Sequence, residues 1–254
     1  MELQIIASSS KGNCYLLKGE NGGSLLLEAG LPFKNIKQRL GYDMSNIQAC
    51  LVTHEHQDHA KAILDVGKAG IDVYASNGTL EASGASGHRF HSVGDKTQFE
   101  IDGFMILAFS VEHDAREPLG FLIQEKTSGD KLLFVTDTYY VRYKFSGLTH
   151  IAVECNYSEH ILAENVAHGI VPVSLARRIR KSHFSLENVI DFLKANDLSS
   201  LKKLYLLHLS DGNSDEKLFE NEIRKVYKGD LLIGESGGVV CKTNADFARP
   251  TASR

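Results

Sequence analysis

The chain has 254 residues, 43% of them hydrophobic, and a formal net charge of −4. That length suits one large α/β domain with a substantial core rather than two ordinary domains, and the charge advertises no polyanion partner, so any phosphate-binding character has to be local. The four cysteines, Cys14, Cys50, Cys155 and Cys241, are scattered without a C-x-x-C pair, which argues against a disulfide framework or a Cys-based zinc knuckle and fits a reducing cytoplasm. Met1-Glu2-Leu3-Gln4 is not a basic leader, and no stretch reaches the roughly 18 apolar residues of a spanning helix, so no membrane partner is expected.

Short strands open the chain. Leu3–Ala7, Cys14–Lys18 and Ser24–Glu28 are separated by Ser, Gly and Asn clusters, the chemistry of turns. Pro32–Leu40 has a helical pattern that Gly41 stops. Ala49–Val52 is an apolar strand that runs directly into a polar cluster, Asp58–Ala69 reads as a helix, and Ile71–Ala75 as a strand. Residues 97–137 read as a meander with strands at Phe99–Ile101, Phe104–Phe109, Leu119–Gln124 and Leu132–Val135. A strand at Ile151–Val153, helices at Ser174–Arg180 and Leu186–Leu193, a strand at Lys203–Leu207 and a helix at Asp215–Tyr227 follow. Leu231–Ile233 and Val239–Cys241 read as a closing pair. Strands dominate both halves with helices between them, which predicts an α/β sandwich. One domain is expected over residues 1–247, with a flexible tail at 248–254.

The sharpest feature is Thr53-His54-Glu55-His56-Gln57-Asp58-His59. Four potential ligands crowd the end of an apolar strand, where they are costly unless something binds them. Imidazole nitrogen and carboxylate oxygen are donors that zinc and similar divalent ions accept. In a strand–loop–helix turn, His54 and His56 can point one way and Asp58 with His59 another, which suits two adjacent ions. Three more donors stand where apolar strands finish: His113, Asp137 and His208. Singly, each is an ordinary hydrogen-bonded histidine or capping aspartate; with the cluster they complete two coordination shells.

The pattern His54-x-His56-x-Asp58-His59, followed in order by His113, Asp137 and His208, resembles the metallo-β-lactamase superfamily. The resemblance implies an αββα four-layer sandwich with a dinuclear metal site at one edge of the sheets. It implies that His54, His56 and His113 hold one ion, that Asp58, His59 and His208 hold the other, and that Asp137 bridges them. Glu28 stands where the superfamily usually has Asp, a carboxylate that orients a ligand histidine. Ser8-Ser9-Ser10-Lys11-Gly12-Asn13-Cys14, Glu28-Ala29-Gly30-Leu31, Glu112-His113-Asp114-Ala115, Pro118-Leu119-Gly120 and Glu154-Cys155-Asn156 are similar to the YycJ/WalJ-type nuclease branch, itself related to RNase Z. For that branch the implied activity is 5′-to-3′ exonuclease action on DNA, in preference to RNA. The implied cofactors are two divalent ions, zinc or manganese with iron possible, sharing a hydroxide that attacks phosphorus while Asp58 steers its proton.

The residues themselves offer some further support. Arg177, Arg178, Arg180 and Lys181 precede Ser182-His183-Phe184-Ser185; such a run holds phosphates through charge and bidentate contacts, or is an ordinary charged helix face. Ser185 is a candidate cap of the following helix, whose N-terminus would favour a phosphate oxygen. His183 is a candidate proton donor to the leaving oxygen, and equally a structural histidine of its own loop. Asn13, on an early turn, is a candidate to line the metal edge, and Asn156 either supports the site or contacts substrate; both are candidate substrate contacts. Tyr139 and Tyr140 read as core or rim packing, with base stacking as the alternative. The ligand set also serves hydrolysis of a cyclic or small phosphodiester, a thioester or a lactone, which pocket shape alone separates from a nuclease.

Overall fold

The computed structural model describes residues 1–234. The expected strand Val239–Cys241 and the tail at 248–254 lie outside the described residues.

The first sheet has the spatial order β1 (Glu2–Ala7), β2 (Cys14–Lys18), β3 (Ser24–Leu27), β4 (Ile47–Leu51), β5 (Asp72–Ala75) and β6 (Phe90–Ser92). Its first three strands are an antiparallel meander and the rest run parallel. The second sheet repeats the plan. β7 (Gln98–Ile101), β8 (Phe104–Ser110), β9 (Leu119–Glu125) and β10 (Lys131–Val135) are antiparallel neighbours, and β11 (His150–Glu154), β12 (Lys203–Leu207) and β13 (Asp230–Ile233) continue parallel to β10.

Parallel neighbours require crossovers, and these carry the helices. α1 (Phe33–Arg39), α2 (Gln57–Ala60), α3 (Ile63–Lys68) and α4 (Asn77–Ala82) belong to the first sheet; α5 (Glu159–Ala167), α6 (Val173–Ser182), α7 (Leu186–Ala195) and α8 (Glu216–Ile223) belong to the second. Period-two alternation then sorts the apolar side chains into layers. Leu25 and Leu27 meet Leu132 and Phe134 between the sheets. Leu26 faces outward to Ile36, Ile63 and Leu80 of the first helical layer, while Leu133 and Val135 face Val189, Phe192 and Phe219 of the second. The result is the αββα four-layer sandwich.

Two expectations about helices need correcting. Asp58–Ala69 is not one helix, because long-range backbone bonds interrupt its ladder. Ala29 N–H donates to His59 O and Ala62 N–H donates to Ala29 O, both at 2.8 Å, so the chain turns at Ala62 (φ −104°) before α3 begins. Helices α4 and α5 were not expected at all. Ser76 caps α4 by accepting from Thr79 N, while α5 buries Leu162 but little else and so lacks an apolar stripe.

His150, at the far end of β11 from Glu154, yields a pH prediction. Burial pushes its imidazole down to about 4, with Asp130 partly opposing. The folded state therefore resists protonating it, and stability present above about pH 6.5 is lost as pH falls toward about 4. His150→Gln is expected to flatten the fall in apparent Tm across that window. An unchanged slope would assign the acid sensitivity elsewhere.

Candidate metal centre

Every ligand expected from the sequence lies at one edge, where strands of both sheets end. His54 follows β4, His113 follows β8, Asp137 follows β10 and His208 follows β12, while Asp58 and His59 sit in the single turn of α2. This is the carboxyl end of the parallel strands, where α/β sheets leave room for ligands.

Two groups form. In the first, His54 Nε2 lies 3.1 Å from His56 Nδ1, which lies 3.2 Å from His113 Nε2. Nitrogens on a tetrahedral ion with bonds of 2.0–2.1 Å are spaced about 3.4 Å apart, so three ring nitrogens converging at this separation have the spacing of ligands. In the second group, His59 Nε2 is 3.4 Å from Asp58 Oδ2 and 3.3 Å from Asp137 Oδ1, and His208 Nε2 is 3.6 Å from Asp58 Oδ2. Asp137 faces both groups. Its Oδ2 is 4.0 Å from His54 Nε2 and 3.8 Å from His113 Nε2, while its Oδ1 is turned to His59 and His208.

The donor set fits divalent cations. His59 Nδ1, Asp137 Oδ1 and His208 Nε2 are buried without a hydrogen-bond partner, although Asp137 Oδ1 and His208 Nδ1 lie only 2.6 Å apart. Buried polar atoms are normally satisfied; His59 Nδ1 is turned to Glu28, while Asp137 Oδ1 and His208 Nε2 belong to the second group, where an ion would complete them. The outward nitrogens are tied back to protein. His113 Nδ1 donates to Ser182 O at 2.7 Å and His208 Nδ1 to Glu154 Oε1 at 3.1 Å, leaving each Nε2 for the centre. Glu28, fully buried at φ 65°, accepts from Thr53 Oγ1 at 2.6 Å, and Thr53 Oγ1 touches His54 Nδ1 at 3.0 Å. Its Oε1 also lies 3.5 Å from His59 Nδ1. Glu at this position therefore reaches two ligand histidines.

The two groups differ electrostatically. Burial, then the neighbouring His59 ring, pushes His54 well below the ordinary imidazole range, and burial lowers His113; neutral imidazole is the form that ligates. In the second group burial opposes charge but the carboxylates prevail. Asp137 raises His208 to about 10, and Asp137 with Glu28 raises His59. Asp137 is held well below the usual carboxylate range, the His208 and His59 rings outweighing its burial. This second group is a seat for positive charge.

Other expected site residues are placed differently. Asn13 is fully buried, its N–H donating to Asp58 O at 2.7 Å and its Nδ2 lying 3.2 Å from His59 Nε2. Asn156 donates to His208 O at 2.9 Å. Both support ligand-bearing segments of the chain, the supporting role being the one their contacts make. Ser185 is buried as the cap of α7, accepting from Asn188 N, which is the capping role expected of it. Arg177, Arg178 and Arg180 are exposed on α6, but Arg178 pairs with Asp114 at 2.9 Å and Arg180 with Glu159 at 2.8 Å. Two of the three belong to a salt-bridged helix face rather than a free basic stripe.

Glu154 is the group that the sequence left without a role. It ends β11 as the ligands end their strands, fully buried, and its Oε1 accepts from His183 Nδ1 at 2.6 Å. Burial disfavours charge on His183, and Glu154 overcomes it to raise that ring.

Gly30 has a steric duty. Its N–H donates to Asn13 O, and a Cβ there would overlap the Asp58 carbonyl. Gly30→Ala is expected to displace the turn bearing Asp58 and His59, costing about 1–3 kcal/mol. Thermal melts with and without added divalent ion check this; unchanged melting and unchanged metal response would refute the contact.

Comparison with known proteins agrees with this geometry. Residues 25–209 match the Beta-lactamase superfamily domain. The chain is 30% identical over 267 residues to exodeoxyribonuclease WalJ of Streptococcus pneumoniae serotype 2, an alignment covering 97% of this chain and 95% of that protein. It is 30% identical over 240 residues to exodeoxyribonuclease YycJ of Bacillus anthracis, covering 89% of each. Among solved structures, the metallo-beta-lactamase fold protein YhfI from Bacillus subtilis superposes with a TM-score of 0.70 at 15% identity, over 93% of this chain and 97% of that one, a likeness of fold. The chain belongs to the beta-lactamase superfamily, alongside the WalJ and YycJ proteins.

Proposed function

We propose that this protein is an exodeoxyribonuclease that uses two divalent ions, zinc or manganese with iron as a third candidate, to remove nucleotides from DNA in the 5′-to-3′ direction. The observation that carries the reading is 30% identity over 97% and 89% of the chain to two exodeoxyribonucleases, in a chain that gathers two groups of potential metal ligands. His54, His56 and His113 would hold one ion; Asp58, His59 and His208 the other; Asp137 would serve both. Bound divalent ions supply a nucleophile at neutral pH and offset charge on phosphate oxygens.

The chain's own groups do the rest. Glu28, Thr53 and Ser182 fix the tautomers of the ligand rings, so the donors need no reorganisation when substrate arrives. Asp58 and His183 keep 23% and 21% of their side chains exposed, so both can reach an incoming phosphodiester. Asp58 steers the nucleophile's proton. His183, whose proton affinity Glu154 raises against the effect of burial, donates to the leaving oxygen. Among the described residues no helix is long and apolar enough to cross a membrane. Cys14, Cys50 and Cys155 are free buried thiols, which supports a reducing, cytoplasmic setting.

The test is to incubate metal-loaded protein with end-labelled single- and double-stranded DNA, RNA and a bis-aryl phosphodiester. The expected result is a mononucleotide ladder from the 5′ terminus of DNA, lost on chelation and in Asp58→Ala. Turnover of a thioester, lactone or small diester with DNA intact would overturn the reading in favour of a small-substrate hydrolase.

A further inference from the structure

We propose that Arg178, held by Asp114, is a clamp for the phosphate next to the scissile one, so that the centre binds a run of phosphodiesters more tightly than a single small one. This rests on the exodeoxyribonuclease reading and names the residue through which that same site holds a polymer.

Helix α6 is fastened to the metal centre at its carboxyl end. His113 Nδ1 donates to Ser182 O at 2.7 Å, and one turn earlier Arg178 Nε donates to Asp114 Oδ2 at 2.9 Å. Residues four apart share a helix flank, so one flank of α6 meets both the ligand His113 and the residue that follows it. Asp114 joins the two, its Oδ1 lying 3.4 Å from His113 Nε2, the nitrogen left for an ion. Arg178 Nε is therefore within about 9 Å of that nitrogen, a limit set by the two contacts and the width of one carboxylate.

The pair is not a closed salt bridge. Arg178 uses Nε alone; among the described residues its two terminal nitrogens make no hydrogen bond or ion pair, and the side chain is 65% exposed. A guanidinium carries its donors in a planar fork, and an edge left free can grip a phosphate with two parallel bonds. Asp114 does not spend its charge on Arg178 alone, because its other oxygen faces the ligand group.

The dipole of α6 makes such a cation necessary. Its carboxyl end, the negative one, meets the centre, and a phosphate arriving there is repelled unless positive charge offsets it. Arg178 supplies that charge beside His113, with Lys181 exposed one turn further on. Arg180 is the contrast. Its Nε donates to Glu159 Oε2 at 2.8 Å, and the other oxygen of that acid accepts from Tyr157 Oη at 3.1 Å. That arginine fastens α6 to α5 and touches no residue of the centre.

The test pairs protein variants with charge-deleted DNA. Arg178→Ala is expected to raise KM for DNA at least about fivefold more than it raises KM for the bis-aryl diester. Arg178→Lys, which keeps the charge and loses the fork, should recover part of the loss, and Arg180→Ala should show no such difference between substrates. Anisotropy of labelled DNA, measured in the Asp58→Ala background so that nothing is cut, should show the same loss of affinity in Arg178→Ala and a salt slope lower by about one. Replacing the phosphate next to the scissile linkage by an uncharged methylphosphonate should cost the wild type a comparable factor and cost Arg178→Ala little, because two losses from one contact do not add. Equal KM changes for both substrates, an equal loss in Arg180→Ala, an unchanged salt slope or additive losses would overturn the clamp while leaving the nuclease intact. If the wild type cuts no DNA, the nuclease reading fails and anisotropy still decides the clamp: DNA binding that is absent, or the same in Arg178→Ala, overturns it.

Discussion

Asp137→Asn is expected to abolish DNA hydrolysis, by a factor of at least about 10³, and to lower the amount of divalent metal bound. The substitution keeps the shape of the side chain and removes its charge, so it isolates what the carboxylate does. One oxygen faces His54 and His113 at 4.0 and 3.8 Å; the other faces His59 and His208 at 3.3 and 2.6 Å. A neutral amide can supply an oxygen to one group and only an N–H to the other. Asp58→Ala, whose carboxylate meets His59 and His208 alone, should by contrast leave the first group able to hold its ion.

The protons give a second measure of Asp137. It raises His208 to about 10 against the effect of burial, so an ion entering that group displaces a proton over the whole range below that value, and affinity climbs with pH. In Asp137→Asn this proton release should shrink. Elemental analysis, calorimetry in buffers of different ionisation enthalpy and the labelled-DNA assay read the three effects. Unchanged metal content and an unchanged rate in the variant would remove Asp137 from the centre.

The clustering of the candidate donors was legible in the sequence because each interrupts apolar chain at the end of a strand, and four of them fall between His54 and His59. The layers were legible for the same reason, since runs such as Leu132–Val135 have no polar face and must be covered on both sides. What failed was whatever depends on partners distant in the chain. The break between α2 and α3 is made by Ala29, from the loop after β3. Asn13 and Asn156 look like exposed contact residues until His59 and His208, 46 and 52 residues away, are seen to engage them. The choice between a phosphate-holding run and a charged helix face stayed open for Arg178 and Arg180, because their acids Asp114 and Glu159 come from other elements. Glu154 carried a readable signal, a lone acid ending an apolar strand, but its partner His183 is 29 residues downstream.

Glu154→Gln is expected to lower kcat by about 10²–10⁴-fold and to move the alkaline limb of the pH–rate profile toward lower pH. The carboxylate is fully buried between two pairs of donors. Oε2 accepts from the N–H groups of Thr138 and Phe184, both at 3.1 Å, and Oε1 accepts from His183 Nδ1 at 2.6 Å and His208 Nδ1 at 3.1 Å. In the glutamine the two backbone donors keep the carbonyl oxygen on their side, which turns the amide N–H groups toward the two rings. Each Nδ1 then becomes an acceptor and each proton moves to Nε2. For His208 that is the nitrogen facing the centre, so affinity for one ion should fall about 10–100-fold. For His183 the loss of the anion lowers a pKa that Glu154 had raised over the opposing effect of burial. A proton donor works below its pKa, so lowering that pKa shifts the fall in rate to lower pH. His183→Gln removes the donor itself: its alkaline limb should lose that step while its metal content stays close to that of the wild type. Should the pH profile of Glu154→Gln overlay the wild type once both are saturated with metal, His183 is not the group that protonates the leaving oxygen.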